Sequence, residues 1–133
     1  MFTRRKFLKL AAFTVGFFFA TPILRARAKK VALTLDMIPE LKTVKGWKII
    51  KIKGSEVLLI RDTENSVRAL NPVCTHKKGI VNYHPDLNKI KCPKHRSLYH
   101  LDGSNISGPS KIPLQTFSSE LKGDKIIIDL PEV

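Results

Sequence analysis

The sequence predicts an all-β fold, a small antiparallel sandwich or barrel in a single domain. Three observations support it: short β-branched runs recur from Val31 onward, turn residues separate these runs, and no long helical period or internal repeat is present. The chain has 133 residues, of which 43% are hydrophobic and 26% charged. This composition suits one globular domain with a modest core.

Six segments rich in β-branched residues are predicted as strands. They are, in order, VALTLD (31–36), WKIIKI (47–52), EVLLIR (56–61), SVRAL (66–70), FSSEL (117–121) and KIIIDL (125–130). Residues 53–55, 62–65 and 122–124 hold the Gly, Asn, Asp and Ser expected of hairpin connections, and only MIPELKTV hints at another structure. The apolar positions expected in the core are Ile50, Ile52, Leu58, Ile60, Leu70, Ile126 and Ile128.

Residues 1–28 are predicted to be an export signal rather than part of the fold. They combine a basic start, MFTRRKFLK, an apolar stretch, LAAFTVGFFFATPIL, and a small-residue cleavage pattern, Ala26-Arg27-Ala28. TRRKFLK closely resembles the twin-arginine motif, which implies export of the folded protein to the periplasm. An uncleaved membrane anchor is the alternative, although fifteen helical residues span only about 22 Å of a hydrocarbon core of about 30 Å. Residues 29–133 then form the domain.

The formal net charge of +13 first suggests a nucleic-acid partner. Six of the basic residues, however, lie within residues 1–28, which contain no acidic residue. The remaining 18 basic and 11 acidic residues give the rest of the chain a charge of +7. No nucleic-acid partner is therefore expected.

Residues 71–115 differ from the predicted strands, because they are rich in Pro, Gly, His and Lys and contain both cysteines. They are predicted to be loops carried on the sheet, where binding groups are commonly placed. Two short motifs stand out, Cys74-Thr75-His76 and Cys92-Pro93-Lys94-His95. A disulfide or two buried thiols would account for the cysteines alone. Zinc would use all four residues, but zinc fingers usually pair cysteine with cysteine and histidine with histidine.

A 2Fe-2S cluster explains the mixed pairs, because a loop that gives one thiolate and one imidazole can reach both irons. The pattern Cys-x-His, fifteen residues, Cys-x-x-His closely resembles the signature of Rieske iron–sulfur proteins. This resemblance implies a Rieske-like sandwich or barrel with a two-loop cluster-binding subdomain at about residues 71–115. It also implies one 2Fe-2S cluster, whose ligands would be Cys74, His76, Cys92 and His95. His84 and His100 lie outside the pattern and are interpreted as ordinary loop or surface residues.

The resemblance extends beyond the ligands, since RSLYHLDGSNISGPSKIPL is similar to the corresponding stretch of cytochrome bc-type Rieske subunits. It implies that the hydroxyls of Ser97 and Tyr99 hydrogen-bond to sulfur and tune the potential, and that Gly108 and Pro109 form the proline loop. Two neutral imidazoles and two hydroxyl donors would both favour a high reduction potential.

The chain also departs from the bc-type pattern. Gly79 and Lys94 occupy the positions of the two cysteines that form a disulfide in those subunits, so the loops are expected to be held by packing, hydrogen bonds and the cluster. In the quinol-oxidising subunits that the chain resembles, the residue after the first ligand histidine is apolar and the one after the second is glycine. This chain has Lys77, Lys78 and Arg96 there. These charges would resist burial in a quinone pocket and favour docking to an acidic partner.

The sequence thus predicts an electron-transfer component of an oxidoreductase complex rather than a self-contained enzyme, because no second cofactor motif or catalytic triad is visible. The leading hypothesis is an exported one-electron carrier, free or tethered to the membrane, whose partner is a cytochrome or a larger oxidoreductase subunit. The alternatives are the Rieske subunit of a quinol–cytochrome c reductase, with quinol as partner, the ferredoxin of a ring-hydroxylating oxygenase, and a zinc-binding interaction module.

Overall fold

The computed structural model describes residues 28–131 of the chain. Within this range the strands are β1 (Ala28–Thr34), β2 (Trp47–Ile52), β3 (Ser55–Thr63), β4 (Ser66–Leu70), β5 (Asn82–His84), β6 (Lys89–Lys91), β7 (Leu98–Tyr99), β8 (Asn105–Ser107), β9 (Thr116–Lys122) and β10 (Lys125–Pro131). Short 3₁₀ helices cover Leu35–Met37 and Pro39–Lys42. The predicted signal or anchor lies outside the described residues apart from Ala28.

The strands form two antiparallel sheets of different size. The larger, which we call the curled sheet, has the order β1-β10-β9-β4-β3-β2, and the smaller has the order β5-β6-β7-β8. The smaller sheet belongs to residues 71–115, the inserted subdomain, which leaves the curled sheet after β4 and returns to it at β9. The two ends of the insertion meet, because Leu70 pairs with Thr116 and the Asn71 N–H donates to the Gln115 carbonyl at 2.8 Å.

Strand β3 joins the two regions because both of its faces are buried. Successive strand side chains point to opposite faces, so Val57 and Leu59 enter the core of the curled sheet. Leu58 and Ile60 enter a second core, which the inserted subdomain shares. All four side chains are fully buried. Strand β3 thus contributes side chains to both cores, and Leu70 of β4 also lies in the second.

The predicted all-β fold is confirmed, and each of the six predicted strands corresponds to an observed one. The segment VALTLD ends earlier than predicted, at Thr34, because the chain turns into the two 3₁₀ helices. Leu35, Ile38 and Leu41 are buried there at the three-residue spacing that suits a 3₁₀ turn. Of the predicted core residues, only Ile50 is merely half-buried.

The prediction that residues 71–115 form loops was incomplete, since they contain the four strands of the smaller sheet. These strands have two or three residues each. Such runs are too short to show the alternation that identifies a strand in sequence. No helix within residues 28–131 has the length and hydrophobicity needed to cross a membrane.

Candidate metal centre

Two loops of the inserted subdomain have the same backbone turn. In the first loop, residues 74–79, the Cys74 N–H donates to the Gly79 carbonyl at 2.6 Å and the Lys78 N–H donates to the Cys74 carbonyl at 3.0 Å.

The second loop, residues 92–97, repeats this pattern. Here the Cys92 N–H donates to the Ser97 carbonyl at 2.8 Å and the Arg96 N–H donates to the Cys92 carbonyl at 3.0 Å. Arg96, with φ of 59°, and Lys78 of the first loop, with φ of 51°, both have left-handed backbone. The chain thus presents two matched turns, each of which begins at a cysteine.

The matched turns separate the thiols from the imidazoles. Cys74 and Cys92 are both 1% exposed, and neither forms a disulfide. His76 and His95 are exposed, and their ring centroids lie 4.9 Å apart with the ring planes nearly perpendicular. The four predicted ligands are therefore brought together as a buried pair of thiols and an exposed pair of imidazoles.

The two thiols have different proton affinities. Burial raises the pKa of Cys74, but hydrogen bonds from the Tyr99 hydroxyl and from the backbone of His76 outweigh it, so this pKa lies below its ordinary value. The pKa of Cys92 is raised, first by burial and then by its contact with Cys74. Thiolate is the form that binds metals, and the Tyr99 hydroxyl stabilises that form on Cys74.

The surroundings of the exposed His95 imidazole disfavour its protonation. Desolvation, followed by the nearby Lys77, His76 and Lys94 side chains, lowers the pKa of this ring. Neutral imidazole is the form that binds metals. The charges around the ring therefore favour metal binding over protonation.

The donor set fits a two-iron group. A 2Fe-2S cluster of this type takes two thiolates on one iron and two imidazoles on the other, which matches the separation of the pairs. A single zinc ion would instead need four donors directed at one point. Among residues 28–131, no three His, Cys, Asp or Glu side chains are gathered closely enough to hold one ion.

Hydroxyl groups surround the buried thiols. The Tyr99 hydroxyl lies 3.3 Å from Cys74 Sγ and 3.4 Å from Thr75 Oγ1, and Tyr99 is fully buried. Burial, followed by the Cys74 sulfur, raises the pKa of Tyr99, so the phenol keeps the proton that it can donate to sulfur. Thr75 Oγ1 also contacts Ser110 Oγ and donates to the Ile112 carbonyl at 2.7 Å.

Ser97 is fully buried beside these groups. Its Oγ accepts the Ser110 N–H at 3.2 Å. A hydroxyl that accepts one hydrogen bond still has its own hydrogen to donate. The predicted donation from Ser97 to sulfur stays a prediction.

The predicted proline loop, Gly108 and Pro109, packs directly against the second loop. Gly108 has φ of 92°, and a Cβ at this position would lie 2.6 Å from Ser97 Cα and 3.1 Å from the Arg96 carbonyl oxygen. Only glycine allows this approach. Asn105 holds the segment that follows, because its Nδ2 donates to the carbonyls of Ser110 and Ile112 at 3.0 and 3.2 Å.

Gly79 and Lys94 face each other across the two loops. A Cβ on Gly79 would lie 3.1 Å from Lys94 Cδ and 3.2 Å from Cys92 Sγ. The aliphatic stem of Lys94 therefore packs where a larger residue at position 79 would stand. Packing thus joins the two loops at Gly79 and Lys94, the positions at which the sequence predicts packing in place of the bc-type disulfide.

Sequence reasoning missed three residues of this site: Thr75, Ser110 and Asn105. Their positions gave a weak signal, since Thr75 lies between two predicted ligands and Ser110 directly follows the Gly-Pro pair. The predicted docking residues Lys77, Lys78 and Arg96 are exposed on the two loops. His84 lies in β5 and His100 directly after β7, outside both loops.

Comparison with protein families matches residues 34–118 to the Rieske [2Fe-2S] domain. The cytochrome b6-f complex iron-sulfur subunit of Chlorobaculum thiosulfatiphilum is 35% identical over 81 residues, covering 61% of this chain and 44% of that subunit. The chain thus matches less than half of that relative's length. The menaquinol:cytochrome c reductase iron-sulfur subunit of Geobacillus thermodenitrificans is 28% identical over 152 residues, covering 95% of this chain and 90% of that subunit.

A solved structure with the same architecture is the cyanobacterial plasma membrane Rieske protein of Synechocystis PCC 6803. It is 26% identical to this chain and superposes with a TM-score of 0.60, covering 69% of this chain and 93% of the other. Similarity therefore extends from the two loops to the sheets that carry them.

Proposed function

The chain belongs to the Rieske [2Fe-2S] domain family, and from this premise we propose that Cys74, His76, Cys92 and His95 hold its 2Fe-2S cluster for one-electron transfer. The observation that carries the assignment is the separation of a buried thiol pair from an exposed imidazole pair on two matched turns. When bound, the cluster supplies a site that accepts and returns one electron.

The surrounding residues favour the reduced state and hence a high potential. Two neutral imidazoles add no negative charge, whereas thiolates in their place would oppose the arrival of an electron. The Tyr99 hydroxyl, 3.3 Å from Cys74 Sγ, stabilises negative charge on that sulfur. Ser97, buried beside the second loop, is proposed to act in the same way.

The exposed side of the site determines where an electron enters and leaves. His76 and His95 reach the surface, while both thiols are buried behind them. A partner that contacts the imidazoles would therefore meet the site at its exposed side.

We propose that the protein works on the periplasmic side of a membrane, as a carrier or small subunit between a larger oxidoreductase and a cytochrome. The resemblance of TRRKFLK to the twin-arginine motif supports export. The cationic residues beside the imidazoles support a protein partner rather than an apolar pocket.

A second candidate is the iron-sulfur subunit of a quinol-oxidising complex. The names of the curated relatives favour it, and one of these relatives aligns over 95% of this chain. In this case residues 1–28 would stay attached as an anchor. N-terminal sequencing of the isolated protein tests this candidate, because an intact start supports the quinol-oxidising subunit and a start at Lys29 counts against it.

A redox-controlled EPR titration of the isolated protein tests the proposed function. We expect a Rieske signal on reduction, with a midpoint in the upper part of the range of about −150 to +300 mV. A low midpoint would instead favour an oxygenase ferredoxin. A protein that gives no EPR signal on reduction and contains stoichiometric zinc would overturn the electron-transfer assignment.

A further inference from the structure

Four exposed cationic residues lie on the two loops that carry the exposed imidazoles, and we call them the cationic collar. The first loop contributes Lys77 and Lys78, and the second contributes Lys94 and Arg96. All four are exposed. The collar therefore borders the surface at which His76 and His95 emerge.

The collar carries charge that its surroundings do not neutralise. The inserted subdomain has seven basic residues and only two acidic ones, Asp86 and Asp102, neither of which lies in the two loops. The ion pairs of the described residues join Lys42 to Asp36, Lys48 to Glu40, Arg68 to Asp62 and Lys122 to Glu120. Every one of these pairs lies outside the inserted subdomain.

Two members of the collar occupy positions that favour glycine. Lys78 and Arg96 have left-handed backbone, which is unfavourable for residues with a Cβ. Lys45, on the curled sheet side of the molecule, shares this conformation with φ of 67° and is also exposed. A lysine with left-handed backbone is therefore not unique to the collar, and Lys45 supplies a matched control outside it.

We propose that the cationic collar docks onto an acidic protein surface that surrounds the redox centre of the partner. This inference rests on the proposed one-electron function. Docking there would place the two imidazoles at the centre of the interface while the collar makes ion pairs at its rim. Complementary charge of this kind raises association rates and orients the partners.

The arrangement of the collar favours this occupant over two others. An apolar pocket would bury four charges without partners, which is costly. An anionic bilayer would pair the charges but would offer no acceptor at the imidazoles. An acidic redox protein would form ion pairs with the collar and would also place an electron acceptor at the imidazoles.

Stopped-flow oxidation of the reduced protein by an acidic and a basic c-type cytochrome tests the proposal. The key variant is Lys78→Gly/Arg96→Gly, which removes two charges and relieves the left-handed strain, so a slower reaction does not reflect misfolding. Lys45→Gly is the matched control. A second variant, Lys77→Gln/Lys94→Gln, removes charge without any change in backbone preference.

At low ionic strength we expect both double variants to react about tenfold more slowly with the acidic cytochrome, and Lys45→Gly to match the native protein. Salt should slow the native protein more than the double variants. Isothermal titration calorimetry should show the same loss of affinity for the acidic cytochrome. Native rates and affinity in both double variants would overturn the docking proposal.

Three controls separate docking from the function on which it rests. Oxidation by benzoquinone, which is neutral, should be the same in the native protein, Lys45→Gly and Lys78→Gly/Arg96→Gly, and a parallel loss in Lys78→Gly/Arg96→Gly would show that the collar acts on the redox site rather than on docking. Absence of a 2Fe-2S spectrum would overturn the proposed function, while calorimetry would still decide whether the acidic cytochrome binds. Collar-dependent binding to phosphatidylglycerol vesicles without binding to the cytochrome would overturn docking to a protein.

Discussion

The curled sheet and the inserted subdomain are built on different principles. Strands of the curled sheet have five to nine residues and enclose an apolar core. Strands of the subdomain have two or three residues, and its loops depend on hydroxyl contacts and on the close approach of Gly79 and Gly108. Both regions have a buried apolar core, but only in the subdomain do such specific contacts also shape the loops of the site. Changes in the first should alter stability, and changes in the second should alter the site.

The largest effect is expected from His95→Ala, which removes one of the proposed ligands. Cluster content should fall to near zero, because one of its four ligands is lost. Metal binding and local order are coupled, so the loops should then become less ordered. Hydrogen exchange should then rise in residues 71–115 while the curled sheet stays protected. Iron analysis, EPR and exchange mass spectrometry measure these effects. His100→Ala is the control, and normal cluster content in His95→Ala would show that the ligand assignment is wrong.

Leu59→Ala and Leu58→Ala test the comparison within one strand. Both remove a fully buried side chain, and each should lower the free energy of unfolding by about 2–5 kcal/mol. Leu59 faces the core of the curled sheet, so its loss should leave the midpoint potential unchanged. Leu58 faces the shared core, so its loss should also raise exchange in the subdomain. Denaturant unfolding measures the loss of stability, and hydrogen-exchange mass spectrometry measures the change in protection. Identical exchange maps for the two variants would contradict the division into two cores.

Gly108→Ala should disturb the site more than it disturbs the fold. The added Cβ would lie 2.6 Å from Ser97 Cα and push the proline loop away from the second loop. We expect a loss of about 2–3 kcal/mol in unfolding free energy together with a changed EPR spectrum. Gly54→Ala is the matched control, because its φ of 87° carries similar strain while nothing lies within 4 Å of the new Cβ. Equal effects of the two changes would rule out a steric role for Gly108.

The smallest effect is expected from Tyr99→Phe, which removes a single hydroxyl. Loss of a hydrogen bond of about 1 kcal/mol to sulfur should lower the potential by about 40 mV with the cluster retained. Protein-film voltammetry measures the shift. Tyr83→Phe is the control, since the Tyr83 hydroxyl donates to Asn88 Oδ1 at 2.8 Å, away from the thiols. An unchanged potential in Tyr99→Phe would show that its hydroxyl does not influence the sulfur.

The difference between the curled sheet and the inserted subdomain explains which features can be predicted from the sequence. β-branched runs such as 125–130, bounded by turn residues, identify the strands of the curled sheet. The four proposed ligands are recognisable because metal chemistry restricts residue type and spacing. The contact of Thr75 with Ser110 joins residues 35 positions apart, and the contact of Gly79 with Lys94 depends on how the two loops pack. Local pattern carries no information about such contacts.

The meeting of the two ends of the insertion has a consequence for protein engineering. Leu70 and Thr116 are paired neighbours, so a tight turn between them would in principle replace residues 71–115 and leave the curled sheet connected. Such a deletion would expose Leu58, Ile60 and Leu70 to water, because the removed segment covers them. A soluble miniature would therefore need polar residues at these three positions. The insertion covers one apolar face of the curled sheet. A different cofactor-binding module inserted at the same place would therefore need an equally apolar surface to pack against that face.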